Sequence, residues 1–438
     1  MRTGLKILTR KIIKDLLNKG ITQDDFPEEP ISKIQLRAHF LSIENDLKHN
    51  NICYNLGALC TNPHPYLAEV YGSFLKYNSN HLGNWSIKPP NYNTQQLEYE
   101  VIQKIIDLYK AKNESLEGYI TSGGTEGNIF SLWMGRSYLS QFCSKEQITL
   151  LYTNLTHYSI RKAGNICDTP HYFVPLDPTT WGMDSNGLQE LVKRLYDQGI
   201  RGFLLPLTIG YTSTGTQDNI PEIIQTVKIL EKECPSIHFY IWIDAALNGL
   251  IEPFINDSFT PFFSPLIKTI VVDFHKFGLV PYSAGIVLYR RQLRDVIEQP
   301  IDYLHVLDNT LLGSRPGASA ASIWAAIHLF GKKRYAQMIK DQMQNKQYFI
   351  EELGKNFPTA DLINNDDSLS CGVIFHSLKD NKLPHIIEDK YWLYPAQTKL
   401  LFYPRKEEEH AIYKFFFLPH MKEKTITEFF FDCKNKHV

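Results

Sequence analysis

Four short stretches of this chain place reactive residue types directly after apolar runs. In Val271-Val272-Asp273-Phe274-His275-Lys276, a lysine follows a buried-type strand, where partial desolvation makes an amine nucleophilic enough to form a Schiff base. His275 beside it can reach an anion or an imine. In Ile241-Trp242-Ile243-Asp244-Ala245-Ala246, an acid ends an apolar strand, a costly place unless it meets a cation or hydrogen-bond donors. It reads either as a salt-bridged or capping aspartate, or as a carboxylate facing a ring nitrogen with Ala245 and Ala246 leaving room for something flat. Thr121-Ser122-Gly123-Gly124-Thr125-Glu126-Gly127-Asn128 joins a strand to a helix expected from about Asn128. Its paired glycines and helix start suit a phosphate, although glycines also serve an ordinary tight turn. It has neither the GK[ST] of a nucleotide loop nor GxGxxG. Thr156-His157-Tyr158-Ser159 adds a histidine after a fourth run; alone, it reads as a satisfied structural residue.

The elements that must hold these residues follow from the hydrophobic pattern. Apolar runs at 118–121, 149–153, 172–175, 202–207, 239–244, 269–273 and 285–289 are separated by amphipathic stretches such as 128–142, 188–198 and 220–233. This alternation predicts an α/β fold with a mainly parallel seven-stranded sheet and crossover helices. The connection 274–284 is too short for a helical crossover, so the last strand is expected to run antiparallel. In such sheets ligands collect beyond the C-terminal strand ends, where the four stretches fall. Residues 93–112 carry a clean helical stripe, and 63–92 are punctuated by Pro, Asn and Gly and read mostly as loop. After Ala320 the pattern is helical to about Leu353, then strands and helices ending in 415–418 and 423–433 make a smaller α+β domain. The basic amphipathic stripe from Leu5 to Leu17 is interrupted by Asp15 and followed by acids, so it reads as a docking helix rather than a transit peptide.

The chain's 438 residues are enough for two or three domains, and 43% hydrophobic with 21% charged residues supports a large core. Lys and Arg total 46 against 47 Asp and Glu, which argues against a basic nucleic-acid footprint. No run of about 18 uncharged apolar residues occurs, so no membrane span is expected. Seven scattered cysteines without a CxxC pair fit a reducing, cytoplasmic setting and neither a zinc site nor a disulfide frame. No metal site is expected.

A phosphate cradle, a ring-nitrogen acid, a Schiff-base lysine and a stacking histidine are together the parts of a pyridoxal phosphate site. With GNW (83–85), GYITSGGTEGN (118–128), THYSIRKA (156–163), DAALNG (244–249), FHKFG (274–278) and TLLGSRPG (310–317), the chain resembles the group II pyridoxal-phosphate-dependent amino-acid decarboxylases. These have the aspartate-aminotransferase fold, type I, and the likeness is strongest to the bacterial histidine and plant serine decarboxylase branch. The resemblance implies pyridoxal 5'-phosphate bound to Lys276, Asp244 on the ring nitrogen, His157 stacked on one ring face and Ala246 against the other. Gly124, Thr125 and His275 would bind the phosphate with Asp273 ordering that corner, and Thr212 would lie near the ring substituents. Tyr303 matches a mobile-loop tyrosine that protonates the carbanion, and Ser314 and Arg315 match a segment that reaches a phosphate across a dimer interface.

The same resemblance implies a homodimer and three regions: 1–92 for dimer contacts and substrate pocket, 93–310 for the cofactor, and a small domain over 311–438. The implied reaction is α-decarboxylation of an L-amino acid, histidine or another with a small polar or aromatic side chain, to its amine. The alternative is a carbon–carbon lyase of the sphingosine-phosphate-lyase type; a non-catalytic relative would have lost Lys276 or Asp244, and Tyr303 in place of Phe speaks against an aldehyde synthase. The chain departs from the branch at Asp273-Phe274 before His275, at Trp242 before Ile243, and at Asn84, where an acid is usual. Those departures leave the cofactor chemistry intact and bear on substrate identity.

Overall fold

The computed structural model describes residues 32–49, 54–59, 61–77, 94–302, 306–376, 378 and 381–435. The stripe at 5–17, the GNW at 83–85 and Tyr303 lie outside them. The chain divides into an N-terminal unit, 1–52, and a main unit, 53–438. Helix α1, Lys33–His49, is the described part of the first. Its start is fixed by a capping box, with Ser32 N–H donating to Gln35 Oε1 and Gln35 N–H to Ser32 Oγ.

In the main unit, α2 (Pro65–Phe74) and α3 (Gln95–Leu108) precede strand β1 (Leu116–Thr121) and helix α4 (Gly124–Leu139). Then follow β2 (Ile148–Tyr152), α5 (Tyr158–Ile166), β3 (His171–Phe173), α6 (Ser185–Asp197), β4 (Gly202–Thr208), α7 (Ile220–Glu233) and β5 (His238–Asp244). The one-turn helix α8 (Glu252–Ile255), β6 (Ile267–Asp273) and β7 (Gly285–Arg290) complete the large sheet region. The order is β1-β7-β6-β5-β4-β2-β3. Strands β2 to β6 pair in parallel, while β7 is antiparallel to both β6 and β1, as the short 274–284 connection requires.

Both faces of this sheet are covered, which is why its strands read as unbroken apolar runs. Tyr240 and Trp242 of β5 pack with Phe130 and Met134 of α4 and Ile160 of α5 on one face. Ile241 and Ile243 pack with α3, α6 and α7 on the other. The period of two therefore puts Asp244 on the α4 side.

A short ribbon, β8 (Gln299–Ile301) with β9 (Val306–Asp308), leads to the long helix α9 (Gly317–Asn356), which bends at Gly331 (φ 57°). Ala320 and Ile323 of its first half join the large core, and Phe349 and Leu353 of its second half join the small one. That smaller core lies on an antiparallel sheet of order β10-β11-β13-β12, formed by Asp361–Asn364, Ser370–Ile374, Lys406–Phe416 and Ala396–Phe402. Helices α10 (His385–Tyr391) and α11 (Glu423–Asn435) cover it. Among the described residues, no helix is long and apolar enough to cross a membrane.

Two expectations need correction. Residues 65–74 form a helix rather than loop: Pro65 sits at its first turn, where a fixed φ favours helix, and Leu67 is fully buried. Helix α4 starts at Gly124, four residues before the expected Asn128, its first N–H donating to Asp273 across the sheet and Glu126 accepting the Ser122 N–H just before it.

Candidate active site

The C-terminal ends of β1, β4, β5 and β6 meet at a cleft of about 330 Å³ that holds Gly124, Thr125, His157, Thr212, Asp244, Ala246, Asp273, His275 and Lys276. Nine of the residues singled out in the sequence thus share one cavity. The closing geometry comes from β7: Gly285 stands opposite both Thr121 and Asp273. A Cβ at 285 would lie 2.7 Å from Gly123 Cα and 2.9 Å from Asp273 Oδ1, so only glycine lets the three strands converge. Gly123 itself has φ 140° and ψ −178°, a region open essentially to glycine alone.

Asp273, buried at the end of β6, organises the corner beside the Gly123–Gly124 turn. Its Oδ1 accepts the Gly124 N–H at 2.6 Å, and its Oδ2 lies 3.1 Å from Lys276 Nζ. His275 Nδ1 lies 2.9 Å from the Ala284 carbonyl oxygen, which can accept only from a protonated Nδ1. Burial holds the His275 imidazole below its usual range, against the pull of Asp273. Thr61 Oγ1 donates to the carbonyl of Lys276 at 3.1 Å and pins the lysine-bearing turn.

On the Asp244 side of the cleft, one residue to which the sequence alone assigns no role holds everything together. Asn128 lies one turn into α4 and faces the sheet. Its Oδ1 accepts from Trp242 Nε1 at 3.1 Å; its Nδ2 donates to Asp244 Oδ2 at 2.8 Å and to Ser159 Oγ at 3.0 Å. Asp244 Oδ1 accepts the Ala246 N–H at 3.1 Å. Ser159 Oγ in turn sits 2.8 Å from His157 Nδ1, which also accepts the Ser159 N–H at 3.4 Å. Since that hydroxyl accepts from Asn128, its hydrogen is free for His157, and the neutral imidazole keeps its own hydrogen on Nε2. Burial, the largest influence, lowers the His157 pKa, with Asp244 opposing. The residue's i, i+4 relation to Gly124 was the signal available in the sequence. Tyr211 and Tyr282 also line the cleft unforeseen, Tyr282 with its ring centroid 4.6 Å from that of His275.

The last two expected residues are elsewhere. Arg315 lines no part of the cleft: it is buried, pairs through both terminal nitrogens with Glu98, and donates to the Ile120 carbonyl at 2.9 Å. Glu98 accepts the Ile120 N–H at 2.6 Å. The ion pair thus satisfies the free side of β1, the edge strand. Ser314 is exposed and also outside the cleft.

The cleft fits the cofactor that the resemblance implies. It joins a lysine, a glycine-only turn at a helix start, and a buried carboxylate held by two donors beside the small Ala246. A family model described as the pyridoxal-dependent decarboxylase conserved domain matches residues 64–378. Histidine decarboxylase of Morganella morganii is 31% identical over 289 residues, 64% of this chain and 72% of that protein. Tryptophan decarboxylase of Clostridium sporogenes is 28% identical over 284 residues, 63% of this chain and 67% of that one. Among solved structures, glutamate decarboxylase of Lactobacillus brevis superposes with a TM-score of 0.78 at 17% identity, covering 96% of this chain and 95% of its own.

Proposed function

We propose, for a chain that belongs to the pyridoxal-dependent decarboxylase family and is a pyridoxal-phosphate-dependent amino-acid carboxy-lyase, that Lys276 holds the cofactor and that histidine or another L-amino acid with a small polar or aromatic side chain is the substrate. The observation that carries the site is the meeting of Lys276, Asp244 and His157, from three separate segments, in one cleft. For the substrate, the relatives named for histidine and tryptophan support a ring-bearing side chain. Among the described residues, the cleft's only lysine or arginine is Lys276, so an acidic side chain would find no second cation there.

When bound, the cofactor supplies an electron sink for the pair released as carbon dioxide leaves. The chain's residues provide position and charge. Thr125 and His275 would bind the phosphate beside Gly124, whose N–H is held by Asp273. Asp244, oriented by Asn128 and Ala246, would pair with the ring nitrogen. His157 and Ala246 would hold the ring, with Thr212 near its substituents. Tyr303, outside the described residues, is the proposed donor of the proton that Cα receives. The working enzyme is a homodimer in this reading.

The test is carbon dioxide release by the cofactor-loaded protein across the common L-amino acids, with Lys276→Ala as the blank. Release confined to histidine or a narrow aromatic group is expected, together with loss of the visible cofactor band in Lys276→Ala. A band that survives in that variant would overturn the lysine assignment. No release from any amino acid with the band intact would favour cleavage of a carbon–carbon bond instead.

A further inference from the structure

On the opposite face of the large sheet, at the same strand ends, lies a bigger cavity of about 820 Å³ between the 216–221 turn, the α8 region and the 364–367 turn. Its charged lining is wholly acidic: Asp218, Glu252, Asp366 and Asp367, with no lysine, arginine or histidine among the described residues that line it. Asp218 is spent, since its oxygens accept the Met183 and Thr208 N–H groups and the Tyr211 hydroxyl. Glu252 is not. It is 2% exposed, yet its Oε1 has no hydrogen-bond partner, and neither does Gln217 Oε1 in the same wall. Two acceptor atoms left over beside the Asn256 and Gln217 amides, in a wall with no cationic donor, mark a place for a donor-rich cation. No three His, Cys, Asp or Glu among the described residues are set to hold a metal ion. Ile220, Phe259 and the half-exposed Phe263 line the remainder and suit a hydrocarbon chain.

We propose that this cavity is a binding site for a small primary alkylammonium ion, its N–H groups donating to Glu252 Oε1 and Gln217 Oε1 and its charge facing Glu252 and Asp367. The site is separate from the cofactor cleft and does not depend on the reading of that cleft. Burial, then the neighbouring Asp367, push the Glu252 carboxyl up to about 7, while the Asn256 and Gln217 amides pull it down. Asp366 and Asp218 are the other charged groups in the cavity wall. A cation requires the ionised form of Glu252, so binding strengthens as pH rises through that value.

The experiment is equilibrium dialysis of n-butylammonium against the holoenzyme at pH 8, with Glu252→Gln and Asp367→Asn beside the wild type. One saturable site per chain is expected, at least tenfold weaker in Glu252→Gln and several-fold weaker in Asp367→Asn. Tetramethylammonium, which carries charge without N–H groups, should not compete. Affinity should fall about tenfold between pH 8 and pH 6. Any condensation of the amine at the cofactor is common to all three proteins and shows itself in the visible absorbance, so it subtracts. Equal affinity in wild type and Glu252→Gln, or effective competition by tetramethylammonium, would overturn the proposal. So would an infrared carboxylic-acid band at pH 8 that Glu252→Gln removes, which would mean that Glu252 keeps its proton and gives it to Gln217. A change of sedimentation in Glu252→Gln without amine binding would assign the cavity to a basic side chain of a second copy. If Glu252→Gln does not fold, Asp367→Asn, on the exposed rim, carries the comparison.

Discussion

Asn128 has no charge and takes no direct part in the chemistry, yet Asp244 and His157 are both oriented through its amide. An amide is suited to this because it donates and accepts at once: Oδ1 takes the Trp242 indole hydrogen while Nδ2 serves a carboxylate and a hydroxyl. Removing it leaves the buried indole N–H unmatched and takes one of two donors from Asp244, about 1–3 kcal/mol for each orphaned group. Asn128→Ala is therefore expected to fold but to lose about tenfold to a hundredfold in turnover. Ser159→Ala, which frees His157 Nδ1 and one Asn128 amide hydrogen but leaves the Asp244 and Trp242 contacts in place, should lose less, and its imidazole should show the alternative tautomer by nitrogen NMR. Equal losses in the two variants would mean that Asn128 acts on His157 alone. Because burial keeps His157 uncharged, turnover in the wild type should persist somewhat below the ordinary histidine pKa.

The turn that runs from the end of β4 to the start of α7 separates the cofactor cleft from the acidic cavity, and Asp218 closes it. Its Oδ2 takes the Thr208 N–H at 2.7 Å, and its Oδ1 takes the Tyr211 hydroxyl at 2.8 Å. Burial is the dominant influence and pushes this carboxyl from 3.8 to about 6, despite those donors. A raised acid favours the protonated folded state, so its contribution is whole below pH 4 and is lost as pH rises through 6, a change of about 3 kcal/mol. Asp218→Asn has no such titration. The stability difference between wild type and variant, measured by urea denaturation, should therefore be most favourable to wild type near pH 4 and shrink toward pH 7. A pH-independent difference would show that the carboxyl is not raised. This turn also marks where elements were legible. Six of the seven strands were readable because burial on both faces leaves few polar interruptions, β3 being an exposed edge, and the strand ends gave nine residues of the cleft. Helix α2 was hidden by its flanking prolines and asparagines, and only packing of Leu67 reveals it. In β13 the apolar pattern marks only 415–418, yet the charged run Lys406–His410 belongs to the same strand and pairs with 398–402 across a half-exposed hairpin. Nothing local to Arg315 says that its partner is Glu98, more than two hundred residues earlier.

At the scale of the whole molecule, the cleft carries exposed aromatic groups at its margin. Tyr282, 52% exposed, has its ring 4.6 Å from His275, and Tyr158, 62% exposed, has its ring 4.4 Å from His157. Each therefore touches a residue of the proposed cofactor site, and Tyr158 offers a large exposed surface. The proposed homodimer gives that surface a use. Covering a tyrosine is worth about 1.5–3 kcal/mol, so Tyr158 would contribute substantially to association and would dry the cleft margin at the same time. Tyr158→Ser is expected to raise the dimer dissociation constant by about tenfold to a hundredfold in sedimentation. Turnover per dimer, measured well above that constant, should suffer less than turnover on dilution. A wild type that sediments as a monomer at full activity would remove the dimer from the account. Tyr158 would then have to be a surface that the substrate meets on its way in.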